Sequence, residues 1–303
     1  MDGILVINKP AGYTSHDCIA ILRGVTGIRK LGHTGTLDPS ATGVLPVCAG
    51  KATKLIEYMD TASKTYEAGV KFGTVSRTQD IWGEQLSRKE AEDSVLSMDQ
   101  GRIPMDADTV KEALRRFEGE IRQIPPAYSA VLVGGRRAYD IARSGGRPDL
   151  APRSVTIHSI ELVCFDPADA SALITVECSR GTYVRTICHD LGQMLGCGAV
   201  LSSLVRTSAC GFDISQALDL EEARKMSREE LLGRFLPMET ALNDMPRMEL
   251  DAESAVRYLN GMTLKTDPAG YEQNAPIAVF SEGRLLGISK FEKDSLKPLK
   301  VFS

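Results

Sequence analysis

Residues 32–47 read GHTGTLDPSATGVLPV, and the rest of the chain is organised around this stretch. Its three glycines, two prolines and three threonines leave almost no room for the interior of a helix or strand. Positions free in φ alternate with positions fixed in φ, the composition of a shaped loop. Loops specified this closely tend to hold something. The one carboxylate in it is Asp38, followed by Pro39. Locally, an Asp-Pro step predicts a helix N-cap with proline at the first helical position. That placement is compatible with chemistry, because backbone N–H groups and the positive end of a helix dipole keep an aspartate charged and usable as a nucleophile or charge stabiliser. His33, five residues earlier, reads on its own as an ordinary loop histidine.

Around the loop lies a chain of 303 residues, 43% hydrophobic, long enough for one large domain and a small one. The start, MDGILVINKP, lacks a basic run and has only a five-residue apolar stretch, and no window approaches eighteen apolar residues, so a cytoplasmic protein is expected. Seven scattered cysteines (18, 48, 164, 178, 188, 197 and 210) show no C-x-x-C spacing and read as reduced thiols. The four histidines form no metal-binding pair, so no metal is implied. The net charge of −4 argues against bulk electrostatic binding of nucleic acid. The average hides a split: residues 1–77 carry nine Lys/Arg against six Asp/Glu, and residues 136–153 carry five Arg against two Asp. These charges fit either a local face for a polyanion or a solvated surface.

Local patterns place the elements. Gly3 to Asn8 reads as an apolar strand, and Ser15 as the cap of a helix bearing Ile19, Leu22 and Val25. Val44 to Ala49 reads as a strand and Lys51 to Tyr58 as a short helix. Lys64 to Phe72 alternates cleanly, with Tyr66, Ala68, Val70 and Phe72 on one face, which predicts a half-buried strand; Tyr66 alone reads as a core aromatic. Asp108 to Gly119 has the spacing of an amphipathic helix. From Ile124 to Arg153 glycine, arginine and tyrosine interleave, suiting either a mobile arm that touches phosphates and stacks on bases or a plain surface loop. Two strands follow, Val155 to Phe165 and Ser171 to Ser179, then a helix capped by Thr182 with Arg185 in its first turn. A cation there opposes the helix dipole at a cost of about 0.5 kcal/mol, which predicts a carboxylate partner for Arg185. Ser227 to Glu230 is a capping box, and a boundary is expected near residue 240, before a small, mainly β domain with one helix, Ala252 to Leu259.

The residues thus offer an aspartate on a rigid loop, a strand tyrosine, an arginine wanting an anion, and a basic arm. No phosphate-binding loop is present, since residues 43–51 have the wrong spacing, and no dinucleotide fingerprint follows a strand. The set suits a reaction that neither changes oxidation state nor spends a nucleotide, with no cofactor. A glycosidase would need a second carboxylate in the loop.

Gly32 to Pro46 resembles the signature loop of the TruB family of tRNA pseudouridine synthases. Agreeing stretches are Asn8-Lys-Pro-x-Gly-x-Thr-Ser, Lys64-x-Tyr66, Pro125-Pro-Ala-Tyr-Ser-Ala, Arg180-Gly-Thr-Tyr183-Val-Arg185 with Asp190-Leu-Gly, and Leu204-x-Arg206-Thr. Ser76 and Val205 depart from the pattern, where threonine and a second basic residue are common. The resemblance implies an α+β pseudouridine-synthase fold: a large, mixed, mainly antiparallel sheet flanked by helices and loops, with a small C-terminal PUA-like β domain. It divides the chain into a catalytic domain, 1–240, with an arm at about 124–153, and an RNA-binding domain, 241–303. It implies isomerisation of uridine 55 in the T-arm of tRNA, the base being flipped into a pocket. In that scheme Asp38 is the catalytic aspartate, Arg185 pairs with and aims it, and Tyr66 stacks on the uracil and is the candidate for removing its C5 proton. His33 fills the vacancy in the RNA loop, Tyr183 and Leu204 line the pocket, and Lys64, Arg136 and Arg137 contact RNA. A monomer without an obligatory protein partner is expected, contacting the T-arm and the acceptor end, with no membrane attachment. The competing readings are a non-catalytic tRNA-binding or chaperone protein, and a guide-dependent relative acting on other RNAs.

Overall fold

The computed structural model describes residues 1–59, 63–87, 90 and 106–302. Within them ten strands form one mixed, mainly antiparallel sheet and five form a second. Across the large sheet the order is Leu218–Asp219, Gly3–Lys9, Thr42–Ala49, Ala199–Ala209, Lys64–Phe72, Ser171–Cys178, Arg153–Asp166 and Gly119–Gln123. The alternation in Lys64–Phe72 is expressed as predicted: Tyr66, Ala68, Val70 and Phe72 are all buried. They pack against Val184, Ile187 and Leu191, the apolar stripe of helix Val184–Met194. Leu37 and Ala41 belong to the same cluster, so the two neighbours of the Asp38-Pro39-Ser40 segment are sunk in the core; burying Leu37 alone contributes roughly 2 kcal/mol.

The central stretch is only partly loop. Leu31–His33 and Thr42–Ala49 are strands, leaving 34–41 as the loop between them. Gly43 explains one of the glycines. Its φ is +104°, and a Cβ there would lie 2.2 Å from the carbonyl oxygen of Arg206, where Thr42–Ala49 meets Ala199–Ala209 in parallel. Only glycine lets these two strands approach.

Several local readings are corrected. The Asp38-Pro39 step starts no helix: Ala41 N–H donates to Asp38 O at 3.1 Å, closing a turn that runs straight into a strand. Helix Ser15–Thr26 is capped by Thr14, in a box with Asp17, and Ser15 is freed for another task. Thr182 does not cap its helix; its hydroxyl donates to Ser179 O, and the cap position is Tyr183, with no side-chain bond. The helix expected over Asp108 to Gly119 is Ala107–Arg115, and Gly119 begins the edge strand. Lys51 to Tyr58 is mostly a 3-10 turn, Gly50–Leu55, leading into Ile56–Met59. The arm region is ordered as a hairpin, Leu132–Val133 with Arg136–Arg137, and helix Ala138–Arg143.

The second sheet begins at Arg247, and helix Ala252–Leu259 lies against it through Ala255 and Tyr258, as its periodicity predicts. Ala278, Phe280, Leu285, Ile288 and Phe302 share one apolar cluster with Ile4, Val44, Leu55 and Met59 of the first half, so packing joins the two sheets. The cysteines are free. Among the described residues, no helix is long and apolar enough to cross a membrane.

Candidate active site

The 34–41 loop is held from below. Leu37 N–H donates to Ser15 Oγ at 2.9 Å, and Pro39 O accepts from Gly12 N–H at 2.8 Å and from Lys9 Nζ at 3.2 Å. Lys9 is fully buried, and its ammonium also donates to Pro10 O and Tyr13 O at 2.9 and 2.7 Å. Burial lowers the Lys9 pKa, and the negative charge of Asp38 opposes that shift. The N-K-P-A-G-Y-T-S stretch is therefore the scaffold of the loop that carries Asp38.

Asp38 faces Arg185. The Arg185 Nε lies 2.9 Å from Asp38 Oδ2; the guanidinium is 6% exposed and the carboxylate 42%. Both terminal nitrogens are engaged as well: Nη1 donates to Thr78 O at 3.0 Å and lies 3.5 Å from Asp80 Oδ2, and Nη2 donates to Tyr128 O at 3.1 Å. A buried guanidinium held at all three of its nitrogens has one orientation available, and it presents Nε to Asp38. The helix start that carries it is clamped by buried Gln123, whose amide accepts from Tyr183 N–H at 2.8 Å and donates to Tyr183 O at 3.0 Å. The carboxylate predicted for Arg185 is thus two carboxylates.

The second, Asp80, escaped the sequence reading. Its Oδ1 accepts from Thr78 Oγ1 at 2.7 Å, Gly83 N–H at 3.0 Å and Trp82 N–H at 3.2 Å. The legible signal was an aspartate followed by a glycine three residues on, the pattern of an Asx turn. Nothing local announces that its free oxygen meets an arginine from a distant helix.

Tyr66 lies in the same cluster as Leu37, opposite Arg206 in the sheet register. Burial raises its pKa, while the charge of Arg206 works the other way, so the ring is a neutral phenol near neutral pH. Arg206 is fully buried, donating from Nε to Val44 O at 2.7 Å and from Nη2 to Gly35 O at 3.2 Å. Gly35, at φ +67°, sits over Lys64 and Arg206, with Lys64 Nζ 3.3 Å from where a Cβ would stand. Lys64 is buried beside the loop, and Leu204 lines the Tyr66 cluster. Tyr183 is half-buried at the start of the Arg185 helix. His33 ends its short strand with its ring edge-on to His16, centroids 5.9 Å apart; Nδ1 is buried without a hydrogen-bond partner. Burial first, then the charges of His16 and Arg206, lower its pKa and keep the imidazole neutral. Arg136 and Arg137 are exposed on the arm hairpin, where Arg137 donates to Ala130 O at 3.3 Å.

Chemically, the arrangement offers a half-open carboxylate oriented by a rigid guanidinium, with an aromatic ring and aliphatic side chains on the core side. It can act on an electrophilic carbon or an acidic C–H of a ligand whose flat part rests on an aromatic surface.

Residues 23–184 match the model of the TruB family pseudouridylate synthase N-terminal domain, and residues 185–243 that of the tRNA pseudouridylate synthase B C-terminal domain. The chain is 46% identical over 263 residues to tRNA pseudouridine synthase B of Symbiobacterium thermophilum, covering 86% of this chain and 83% of that one. It is 37% identical to the protein of that name from Bacillus pumilus, covering 100% and 98%, and 39% identical to that from Streptococcus pneumoniae, covering 100% of both. Among solved structures, a Cbf5–Nop10–Gar1 complex matches with a TM-score of 0.74 at 23% identity, covering 99% of this chain and 85% of that one, which identifies the pseudouridine-synthase fold. A family model spanning more than half of the residues, and relatives alike over nearly the whole length, lead to one conclusion: the chain belongs to the TruB family of pseudouridylate synthases.

Proposed function

We propose that this enzyme isomerises uridine 55 in the T-arm of tRNA to pseudouridine, with Asp38, Arg185 and Tyr66 as its central residues. The observation that carries the reading is the 2.9 Å contact of a buried Arg185 with a half-exposed Asp38. The names of the full-length relatives, tRNA pseudouridine synthase B, supply the class of RNA. In the reaction the N1–C1′ bond breaks, the uracil turns, C5 bonds to C1′, the C5 proton leaves and N1 gains one. Asp38 is the group that acts on the sugar or base, by attack at C1′ or C6 or by taking a ribose proton; each route needs it within reach of the flipped nucleoside. Arg185 fixes the direction of attack. Tyr66 stacks on the uracil and is the candidate for taking the C5 proton; as a neutral phenol it first gives up its own proton, N1 gains one over the reaction, and the Arg206 charge favours the phenolate in between. Tyr183 and Leu204 line the pocket, His33 enters the vacated place in the RNA loop, and the exposed Arg136 and Arg137 face phosphates, whereas Lys64, buried under Gly35, supports the loop and does not reach the RNA. The unit from 1 to 240 does the chemistry, and the 241–303 unit is a PUA-like module reaching toward the acceptor end. The enzyme works in the cytoplasm as a monomer without an obligatory partner.

The test is incubation of purified protein with unmodified tRNA transcript, no cofactor added, followed by mapping of pseudouridine. Product at position 55, and on an isolated T-arm stem-loop, is expected. Product elsewhere alone, or a requirement for a guide RNA, overturns the assignment.

A further inference from the structure

Trp82 is the only tryptophan of the chain, and its side chain is 52% exposed. Among the described residues it is the one aromatic in the set of exposed large hydrophobic side chains; the others are aliphatic. Leaving half an indole in water forgoes burial energy.

The backbone that presents the ring is fixed. Trp82 N–H and Gly83 N–H both donate to Asp80 Oδ1, Ser76 Oγ donates to Asp80 O, and the strand Ala199–Ala209 holds the turn through Ile81 N–H to Leu201 O at 2.9 Å and Leu201 N–H to Gln79 O at 3.1 Å. Such a turn loses little backbone freedom when its ring is covered, which favours its use in binding. The turn also adjoins the reacting centre. Three contacts lead from Trp82 to the acid: 3.2 Å from its N–H to Asp80 Oδ1, 3.5 Å from Asp80 Oδ2 to Arg185 Nη1, and 2.9 Å from Arg185 Nε to Asp38 Oδ2. An RNA that delivers a uridine to Asp38 must lay its neighbouring nucleotides over the surface bordering that centre.

We propose that Trp82 is a substrate-contacting residue, its indole stacking on a base of the RNA beside the uridine that enters the site. Every base has a π-face, so the contact adds affinity without reading sequence. The proposal rests on the RNA reading above.

The single tryptophan makes the test direct. Unmodified tRNA transcript is titrated into the full chain while indole fluorescence is followed, with and without acrylamide. Binding is expected to quench the emission and to shield the ring from acrylamide. Trp82→Ala is expected to weaken transcript binding and raise KM at least about fivefold, the loss falling on KM more than on kcat, with Trp82→Phe restoring most of it. A residue serving only the fold would instead lower Tm and would not separate KM from kcat. If the transcript binds and is converted while the emission and acrylamide access stay unchanged, or if Trp82→Ala binds as wild type, the stacking role is overturned and the enzyme's function stands. If the transcript is neither bound nor converted, both fall.

Discussion

Cations are treated in opposite ways around the 34–41 loop and on the small sheet. Around the 34–41 loop Lys9, Arg185 and Arg206 are buried, and backbone carbonyls accept from all three. On the small sheet Lys290, Lys297 and Arg247 pair with Glu292 and Glu249 at the surface, their side chains 24%, 50% and 55% exposed. Solvent-screened pairs of the second kind contribute little, whereas a buried cation bonded to carbonyls cannot be removed without stranding its acceptors. The loop's surroundings use charge to fix geometry. The small sheet uses it to stay wet.

The contrast can be broken at its strongest point first. Asp38→Asn keeps the shape of the acid and removes its charge; turnover is expected to fall by a factor on the order of 10⁴ in single-turnover assays, with tRNA affinity within a few fold. Turnover near the wild-type rate would remove Asp38 from the chemistry. Arg206→Met strands Val44 O and Gly35 O in the core and is expected to cost roughly 3 kcal/mol in urea unfolding; a loss near zero would show that burial of this cation fixes nothing. Asp80→Asn loosens one arm of the Arg185 fork and is expected to lower kcat by about 10- to 100-fold while KM holds, as for other groups that orient a ligating residue. An unchanged kcat would assign the orientation of Arg185 to Thr78 O and Tyr128 O alone.

Asp190 sharpens the comparison, because burial pushes its pKa up to about 6 on the helix that carries Arg185. A carboxyl whose folded pKa lies above its ordinary value contributes stability at low pH and loses it as pH rises through the window from about 4 to 6. Asp190→Asn is therefore expected to raise Tm by roughly 2 °C at pH 7.5 and to leave it unchanged at pH 4. An equal change at both pH values would rule out burial of its charge as the cause. At the other extreme, Glu292→Gln on the small sheet is expected to leave Tm unchanged in thermal unfolding; a clear drop there would erase the distinction between the two regions.

What could be read locally was read from periodicity. The alternation of Lys64–Phe72, the capping box at Ser227 and helix Ala252–Leu259 all stand where their patterns put them, because each is specified by neighbours within a few residues. Local rules failed where two options competed on short range. Thr14 and Ser15 are both good caps; the fold gave the cap to Thr14 because Ser15 is buried and serves as partner to Leu37. Asp38-Pro39 would suit a helix start, but Leu37 and Ala41 are pulled into the core on either side and leave room only for a turn. Even the broken rule at Arg185 was informative: a cation at a helix N-terminus demanded an anion, and Asp38 and Asp80 answer it.

The amino-acid order alone determined which residues carry charge, which segments alternate, and that one glycine- and proline-rich loop with a lone acid dominates the chain, since these depend on composition and near-neighbour sterics. Only the tertiary structure decided that residues 9, 38, 80, 128 and 185 converge, that Asp80 completes the arginine's fork, and that Gly43 must admit the backbone of Arg206. Such meetings are fixed by strand order and by satisfying every buried donor at once, and those conditions couple residues too far apart in the chain for any local pattern to register.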